Sequence, residues 1–583
     1  MKKQLVLASL EELLKKNCVN YSISSDIYSL KESSLENFKI KVNKSHWSKN
    51  SKKKIDYIYL KKLYYSTFKD LTKYLNEYHS INFSEKQWHI ILGPWLNYIL
   101  PILWDRWETV DFFKKKFGVI KSISLPQNNE NYIVSRDFND FIDKSQRQDW
   151  NAEIFKTIID FKKEWKPKYK KKKISKNIKK KTISQGWPLF IDKVLFFFQK
   201  IFFRQRNFIF TSSNFEKKFY ILIFLKLFIM TRLYKEFDQN LELQTKIEYG
   251  TRQKFLKVKN VKNFNFEKYL SRVILRILPQ SYLENFNVYL NASKKIDLQC
   301  EFVFTAFRHY ENDLFKIWVA DQKKKLISCL HGGNIEKEFF FDSWSKYSFK
   351  YITWNKEITK KNNINLPVNF LLFRKKIHNS KYLKNKKIIF LLPHAEIKPL
   401  RLVDGLFCFD ILNCLKEWIL FYKILKKDIG KNIVWRFGPF KDQWRILEKL
   451  KKEISSINIS SEKSFTKEAL SSKLSIHVDL QTTFLETMYM NIPSVVLMNK
   501  NFWNISKKSI KILDSLYKAK ILFYNYKDLA NHINQNFSHL DNWWQSKNVQ
   551  NARITYLKYS GITNSSHAKN KWLNFFQKLR NKQ

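Results

Sequence analysis

His331, Gly332 and Gly333 stand together in a chain of 583 residues that holds only 10 glycines. They follow an apolar run, Lys325 to Leu330, so an imidazole and two unhindered amides would end a strand. Such a turn could offer a proton acceptor and backbone donors to a ligand, or be an ordinary exposed turn. Thr482, Thr483 and Glu486 form a second group, at the start of an amphipathic stretch between two apolar runs. Hydroxyls and first-turn amides there suit a phosphate, and Glu486 would point at a nucleotide ribose. Alternatively, Thr483 and Glu486 have the spacing of a capping box, a purely structural device. Arg436, in Ile433-Val-Trp-Arg-Phe-Gly-Pro439, ends a predicted strand where its planar fork could clamp a phosphate or simply face solvent. Trp104-Asp105-Arg106-Trp107-Glu108 sets charge between bulky aromatics; it either shapes an acceptor pocket or locks a helix by buried pairing.

These residues need a scaffold that brings strand ends together. Leu474 to Val478 and Ser494 to Met498 are short apolar runs of the kind that buried parallel strands make, with a helix from about Thr482 between them. Such a crossover places the helix N-terminus at the carboxyl edge of a sheet. The alternation extends upstream. Strands are predicted at Glu301 to Phe307, Lys325 to Leu330, Lys387 to Leu392, Asn432 to Phe437 and Ile457 to Ile459, with helices at Phe409 to Lys426 and Lys441 to Lys452. The expected fold class is α/β, two Rossmann-like lobes facing a cleft, with a helical N-terminal region and a basic, Phe-rich insertion. Ile55 to Tyr78 and Trp88 to Glu108 have helical spacing; Ser84 and Gln87 make a capping box, and Pro94 and Pro101 are expected to kink the second helix. The expected organisation is an N-terminal α/β-helical region over 1–165, a linker and insertion over 166–240, the remainder of the first lobe over 241–380, a donor-binding lobe over 381–545 and a helical tail over 546–583.

The net charge of +55, from 107 Lys and Arg against 52 Asp and Glu, invites a polyanion partner. The excess is spread along the whole chain with Asn, Ile, Phe and Tyr, as A/T-rich codons dictate, so no specific nucleic-acid partner is expected. None of the glycines composes GxGxxG, GxxxxGK or GxSxG, which excludes the P-loop, dinucleotide and nucleophile-elbow classes. HExxH and Asp-x-Asp are also missing, so no metal ligands and no cofactor are expected. Five scattered cysteines imply a reduced, cytoplasmic setting. Glu11 and Glu12 interrupt the short apolar run after Met1, so no export signal is read. Leu195-Phe-Phe-Phe-Gln-Lys-Ile-Phe-Phe-Arg204, with the apolar run Phe219 to Met230, fits either a helix lying on an anionic membrane surface or an internal core helix.

Four blocks carry a resemblance: Trp88 to Glu108 with Leu-Gly-Pro-Trp-Leu and Asp-Arg-Trp-Glu, His331-Gly-Gly, Thr482-Thr-Phe-Leu-Glu-Thr through Asn491-Ile-Pro, and Asp541-Asn-Trp-Trp through Asn551-Ala-Arg553. The chain resembles the LIC-type transferases of bacterial surface-polysaccharide (O-antigen) loci. The resemblance implies a GT-B-like arrangement, similar in its later half to CDP-glycerol glycerophosphotransferases and to Kdo-type transferases using CMP-activated donors. It implies metal-independent transfer from a nucleotide-activated donor, CMP- or CDP-linked, to a glycan or lipid-linked acceptor. It implies His331 as base or phosphate-cleft residue, with Gly332 and Gly333 beside it, Arg436 as phosphate contact, and Thr482, Thr483 and Glu486 as donor contacts. Glu108 joins His331 on the acceptor side. The expected place is the cytoplasm, or the inner face of its membrane. In relatives His-Gly-Gly continues to Tyr-Gly, whereas here Asn334-Ile-Glu-Lys follows; before Thr482 they carry Ser, Thr and Asn, whereas here His477-Val-Asp-Leu480 stands. A degenerate, GT-B-like scaffold is therefore the main rival, and a basic nucleic-acid-binding protein the lesser one.

Overall fold

The computed structural model describes residues 2–581 apart from 9–12, 43–44, 118–120, 125–129, 164–167, 170–205, 228–236, 238–240, 244–245, 255–263, 297, 299, 307–311, 334–343, 355–361, 374–385, 403–405, 407, 439–441, 504 and 563–564. The strands described form three sheets, and every pairing with a register is parallel. The first sheet holds β1 (Lys2–Val6), β2 (Cys18–Ser22), β3 (Lys39–Val42), β4 (Lys121–Ser124) and β5 (Lys168–Tyr169), in the order β3-β2-β1-β4-β5. The second holds β6 (Arg206–Thr211), β7 (Cys300–Thr305), β8 (Lys325–Cys329), β9 (Lys350–Thr353) and β10 (Asn363–Asn365), laid side by side in chain order. The third holds β11 (Ile388–Leu391), β12 (Ile433–Arg436), β13 (Asn458–Ile459), β14 (Leu474–His477), β15 (Ser494–Leu497) and β16 (Leu522–Phe523), in the order β13-β12-β11-β14-β15-β16.

That last order is the doubly wound one, 3-2-1-4-5-6 counted from β11. Ile388 of β11 lies in register with both Ile433 and Leu474, so the winding reverses between β11 and β14. A crevice opens beyond the strand ends at such a reversal, because the crossovers leave on opposite faces. All four residues of β14 and of β15 are buried, which is why both read as unbroken apolar runs.

The α/β class with two Rossmann-like lobes holds, with the second and third sheets as the pair. Residues 1–165, expected as an α/β-helical part of the first lobe, supply most of a separate sheet, none of whose strands is predicted individually. Between β3 and β4 the chain runs through helices Asn50–His79 and Glu85–Phe117, each longer than the predicted segment. The Ser84 capping box forms: Ser84 N–H donates to Gln87 Oε1 at 2.9 Å, and Gln87 N–H returns to Ser84 Oγ at 3.4 Å. Pro94 and Pro101 sit inside one continuous helical element. The expected linker takes in β5, and β6, inside the expected insertion, is an edge strand of the second sheet. The Phe-rich stretch 195–204 and the lysines beyond Tyr169 lie outside the described residues. Of the apolar run from Phe219, helix Lys217–Leu227 buries Phe219, Ile223 and Leu227 and exposes Ile221 and Leu225. No helix among the described residues is long and apolar enough to cross a membrane.

The C-terminal helix, Ser565–Arg580, returns to the second sheet. Phe576 packs on Phe208, Phe210 and Phe304, and Trp572 Nε1 donates to Pro367 O at 2.9 Å. Gly561 turns the chain there at φ +72, where a Cβ would lie 2.7 Å from Trp354 O.

Candidate active site

The carboxyl edge of the third sheet is where the other two sheets meet it. Four residues separate β14 from helix Thr482–Met490, and its N-cap, Gln481, contributes no side-chain cap. The turn after β8 lies directly on this helix start: Gly333 N–H donates to Thr482 Oγ1 at 3.1 Å. A Cβ on Gly332 would fall 2.4 Å from Thr482 Oγ1; one on Gly333 would fall 2.8 Å from Leu485 Cδ2 and 3.2 Å from Thr482 Cα. The two glycines thus let the lobes approach, and the expectation of two free amides is corrected, since Gly333 already spends its own on Thr482.

His331 stands at the exposed rim of this contact. Asn214 Nδ2 donates to His331 O at 2.8 Å and lies 3.0 Å from His331 Nδ1. The carbonyl can only accept, which orients the Asn214 amide; Nδ1 then accepts, and the ring proton of a neutral His331 belongs on Nε2. Partial burial lowers its pKa, favouring that neutral form. In that tautomer Nδ1 is an acceptor and Nε2 carries the ring hydrogen.

Thr483 and Thr487 grip the end of β14: their hydroxyls lie 3.4 and 3.3 Å from His477 Nδ1 and Nε2. His477 is fully buried, and burial pushes its pKa down to about 3. The Thr483 and Glu486 capping box does not form, because the helix begins at Thr482 and its N-cap is Gln481. Glu486 is half-buried on the same helix as Thr482.

Arg436 needs a larger correction. Its guanidinium donates to Ser460 Oγ at 3.0 Å, Glu462 O at 2.6 Å, Lys463 O at 3.2 Å and Glu468 Oε2 at 2.6 Å. Glu468 is buried and also pairs with Lys387 at 2.6 Å. The fork that was expected on a phosphate therefore ties the end of β12 to the loop and helix after β13. Glu108 lies elsewhere, on helix Glu85–Phe117, its carboxylate 2.7 Å from Lys52 Nζ.

The first sheet meets the third on the other side of the reversal. Ser25, after β2, donates to Ile397 O; Lys398 pairs with Asp26 at 2.5 Å; Arg106 donates to Pro399 O at 2.9 Å. These links border a partly open cavity. Asp105 and Arg106 border it and pair with each other, while Arg106 Nε and Nη2 hold Asn151 Oδ1 at 3.0 and 2.9 Å. The Trp104 to Glu108 cluster thus makes a buried pair, and two of its members line a cavity. Burial raises the Asp105 pKa to about 6 in spite of Arg106. Burial, with Lys52 and Arg106, lowers that of His46, also on the wall, to about 3. A second, smaller cavity opens at the ends of β11 and β12, where His394, Asp442 and Trp444 line it. Asn214, His394, His46 and Lys398 had no motif to mark them; only the positions of strand ends single them out.

A doubly wound lobe whose reversal is met by a second α/β lobe is the architecture of a ligand-binding transferase cleft. The chain belongs to the LIC12162 family of transferases, whose family model matches residues 3–576. No curated protein matches it. Among solved structures, it is similar to Anabaena HepE in complex with UDP and glucose (9% identity, 64% of this chain and 100% of that one, TM-score 0.36). It is also similar to Acinetobacter baumannii MurG (9% identity, 64% and 99%, TM-score 0.33). A third is S. aureus TarM (16% identity, TM-score 0.33), where the match takes in 50% of this chain and 59% of TarM.

Proposed function

We propose that the protein moves a sugar or related group from a nucleotide-activated donor, CMP- or CDP-linked, to a glycan acceptor of surface-polysaccharide assembly. The observation that carries this reading is the winding reversal between β11 and β14 with the Thr482–Met490 helix start beside it. The amides of that first turn and its dipole favour a phosphate group. Thr482 accepts from Gly333 through Oγ1 and keeps its hydroxyl hydrogen to donate. His331 stands beside it at the exposed rim. In transfer, the acceptor oxygen bonds to the migrating carbon as the bond to the phosphate oxygen breaks; these donors take up the charge left on that oxygen, and no cation is required. The acceptor proton needs a base, for which Glu108 is the candidate carried over from the sequence. A lipid-linked acceptor would bring the protein to the cytoplasmic membrane face.

A thermal-shift series with CMP, CDP, UDP, GDP and dTDP, with and without magnesium, tests the donor half, since a ligand that binds only the folded state raises its apparent stability. A selective, magnesium-independent rise is expected. No rise with any nucleotide would leave the scaffold reading in its place. His331→Ala is expected to abolish transfer and His331→Gln, which restores an N–H donor, to recover part of it; full activity in His331→Ala would remove the residue from the mechanism.

A further inference from the structure

The cavity between the first and third sheets carries features that buried ion pairing alone does not explain. His46 has a side chain only 9% exposed, and its Nε2 is buried without a hydrogen-bond partner among the described residues. An imidazole nitrogen in that position costs free energy unless something completes it. Its Nδ1 faces Asp105 Oδ1 at 3.8 Å, so the proton of the neutral ring belongs on that side and Nε2 is an acceptor. Ser24 and Ser45 line the same cavity, and each uses its oxygen to accept a backbone N–H, from Asp26 and Trp47. Their hydroxyl hydrogens remain available to donate. The wall therefore offers acceptors and donors in alternation.

Its charges are already matched. Arg106 pairs with Asp105, Lys398 pairs with Asp26, and the nearby Lys52 is held by Asp56 and Glu108. A phosphate or carboxylate would have to break one of these pairs, a cost of several kcal/mol. Apolar rings complete the lining, with Phe113 buried and Phe112 at the exposed edge.

We propose that this cavity binds a neutral, hydroxyl-rich ligand, a sugar ring without phosphate, with His46 Nε2 and Asp105 accepting from its hydroxyls and Ser24 and Ser45 donating to them. The ligand class deepens the transferase reading by naming the acceptor. Its role as acceptor rests on that reading, whereas binding itself does not.

The test is saturation-transfer NMR on the full chain with methyl glycosides of glucose, galactose, mannose, rhamnose and N-acetylglucosamine, and with glucose 1-phosphate as the charged counterpart. At least one neutral glycoside is expected to bind, and to bind more tightly than glucose 1-phosphate. His46→Leu should weaken that binding about tenfold, the worth of one good hydrogen bond, and His46→Gln should restore most of it. Unfolding curves of both variants check that the fold is intact, which the lack of an internal partner for Nε2 favours. No binding by any glycoside, equal binding in His46→Leu, or preference for glucose 1-phosphate would overturn the proposal. The nucleotide-induced thermal shift should persist in His46→Leu, so failure here and failure of the donor reading give different results.

Discussion

The third sheet meets its two neighbours by opposite means. Against the second sheet, side chains are removed: Gly332 and Gly333 bring backbone onto the helix start at Thr482, and the bond between them is neutral. Against the first sheet, charge is buried in quantity: Asp26, Asp105, Arg106 and Lys398 are each at most 5% exposed and are matched in pairs around a cavity. The first contact is narrow and tolerates no added atom, which suits a junction that must keep a helix N-terminus in one place. The second is wide and polar, and its paired charges hold it open against collapse. Position of backbone is the scarce quantity on one side, and charge balance on the other.

The largest effect is expected where charge is buried. Arg106→Met leaves Asp105 without its cation and Pro399 O without its donor, a loss of about 3–5 kcal/mol in denaturant unfolding. The loss should shrink at pH 5, because Asp105, with its pKa raised to about 6, can then be neutral. Equal losses at pH 5 and pH 8 would show that the pair is not what holds this side. On the glycine side, Gly333→Ala places a methyl 2.8 Å from Leu485 Cδ2 and 3.2 Å from Thr482 Cα. Overpacking of this kind costs about 1–3 kcal/mol and should displace the helix start, so the nucleotide-induced thermal shift should fall with it. A shift left intact would separate the contact from the ligand.

The two sides also differed in how far their sequences could be read. The glycine side was legible, since β8, β14 and β15 are apolar runs bounded by Gly, Asp and Pro, and a buried parallel strand leaves that trace. The first sheet was not. Its β3 strand reads Lys-Ile-Lys-Val with Lys39 and Lys41 exposed, and β1 (Lys-Lys-Gln-Leu-Val) and β2 (Cys-Val-Asn-Tyr-Ser) are interrupted by polar residues, so none is an unbroken apolar run. Trp104 to Glu108 was noticed for its composition, but its partners Asn151, Pro399 and His46 come from other parts of the chain. Arg436 was misjudged for the same reason: Glu462, Lys463 and Glu468, which absorb its fork, follow 26 to 32 residues later on a loop and helix whose return path no local pattern reveals.

Acid should distinguish the sides next. His477, gripped by Thr483 and Thr487, has a folded pKa near 3 against an ordinary 6.5, so it contributes stability above pH 6.5 that is lost as pH falls toward 3. Between pH 7 and pH 5 that loss is on the order of 2 kcal/mol. His46 behaves likewise, but Asp105 opposes it: a carboxyl whose folded pKa is raised from 3.8 to about 6 contributes stability at low pH that disappears as pH rises through 6. His477→Gln should therefore flatten the acid limb of the unfolding curve, and Asp105→Asn should steepen it. The reverse assignment would mean that burial is not setting these groups.

The smallest expected effect is the most discriminating. Thr482→Val keeps the branched shape but removes the acceptor for the buried Gly333 N–H, a cost of about 1 kcal/mol, and Thr482→Ser should return it. Thr482 has a second capacity, because its hydroxyl hydrogen is not used by that bond. If the Gly333 contact is only a junction, Val lowers stability and leaves nucleotide affinity unchanged. If the junction is also the phosphate seat, Val lowers both, and the affinity loss, about tenfold for one hydrogen bond, exceeds what the stability change can explain. Isothermal titration beside unfolding of the same two variants separates these outcomes. On the cavity side the comparable change, His46→Leu, removes no internal bond, so its stability cost should be near zero and its effect confined to the sugar. A junction that doubles as a ligand seat must lose both properties together; a cavity built around matched charges can lose its ligand and keep its fold.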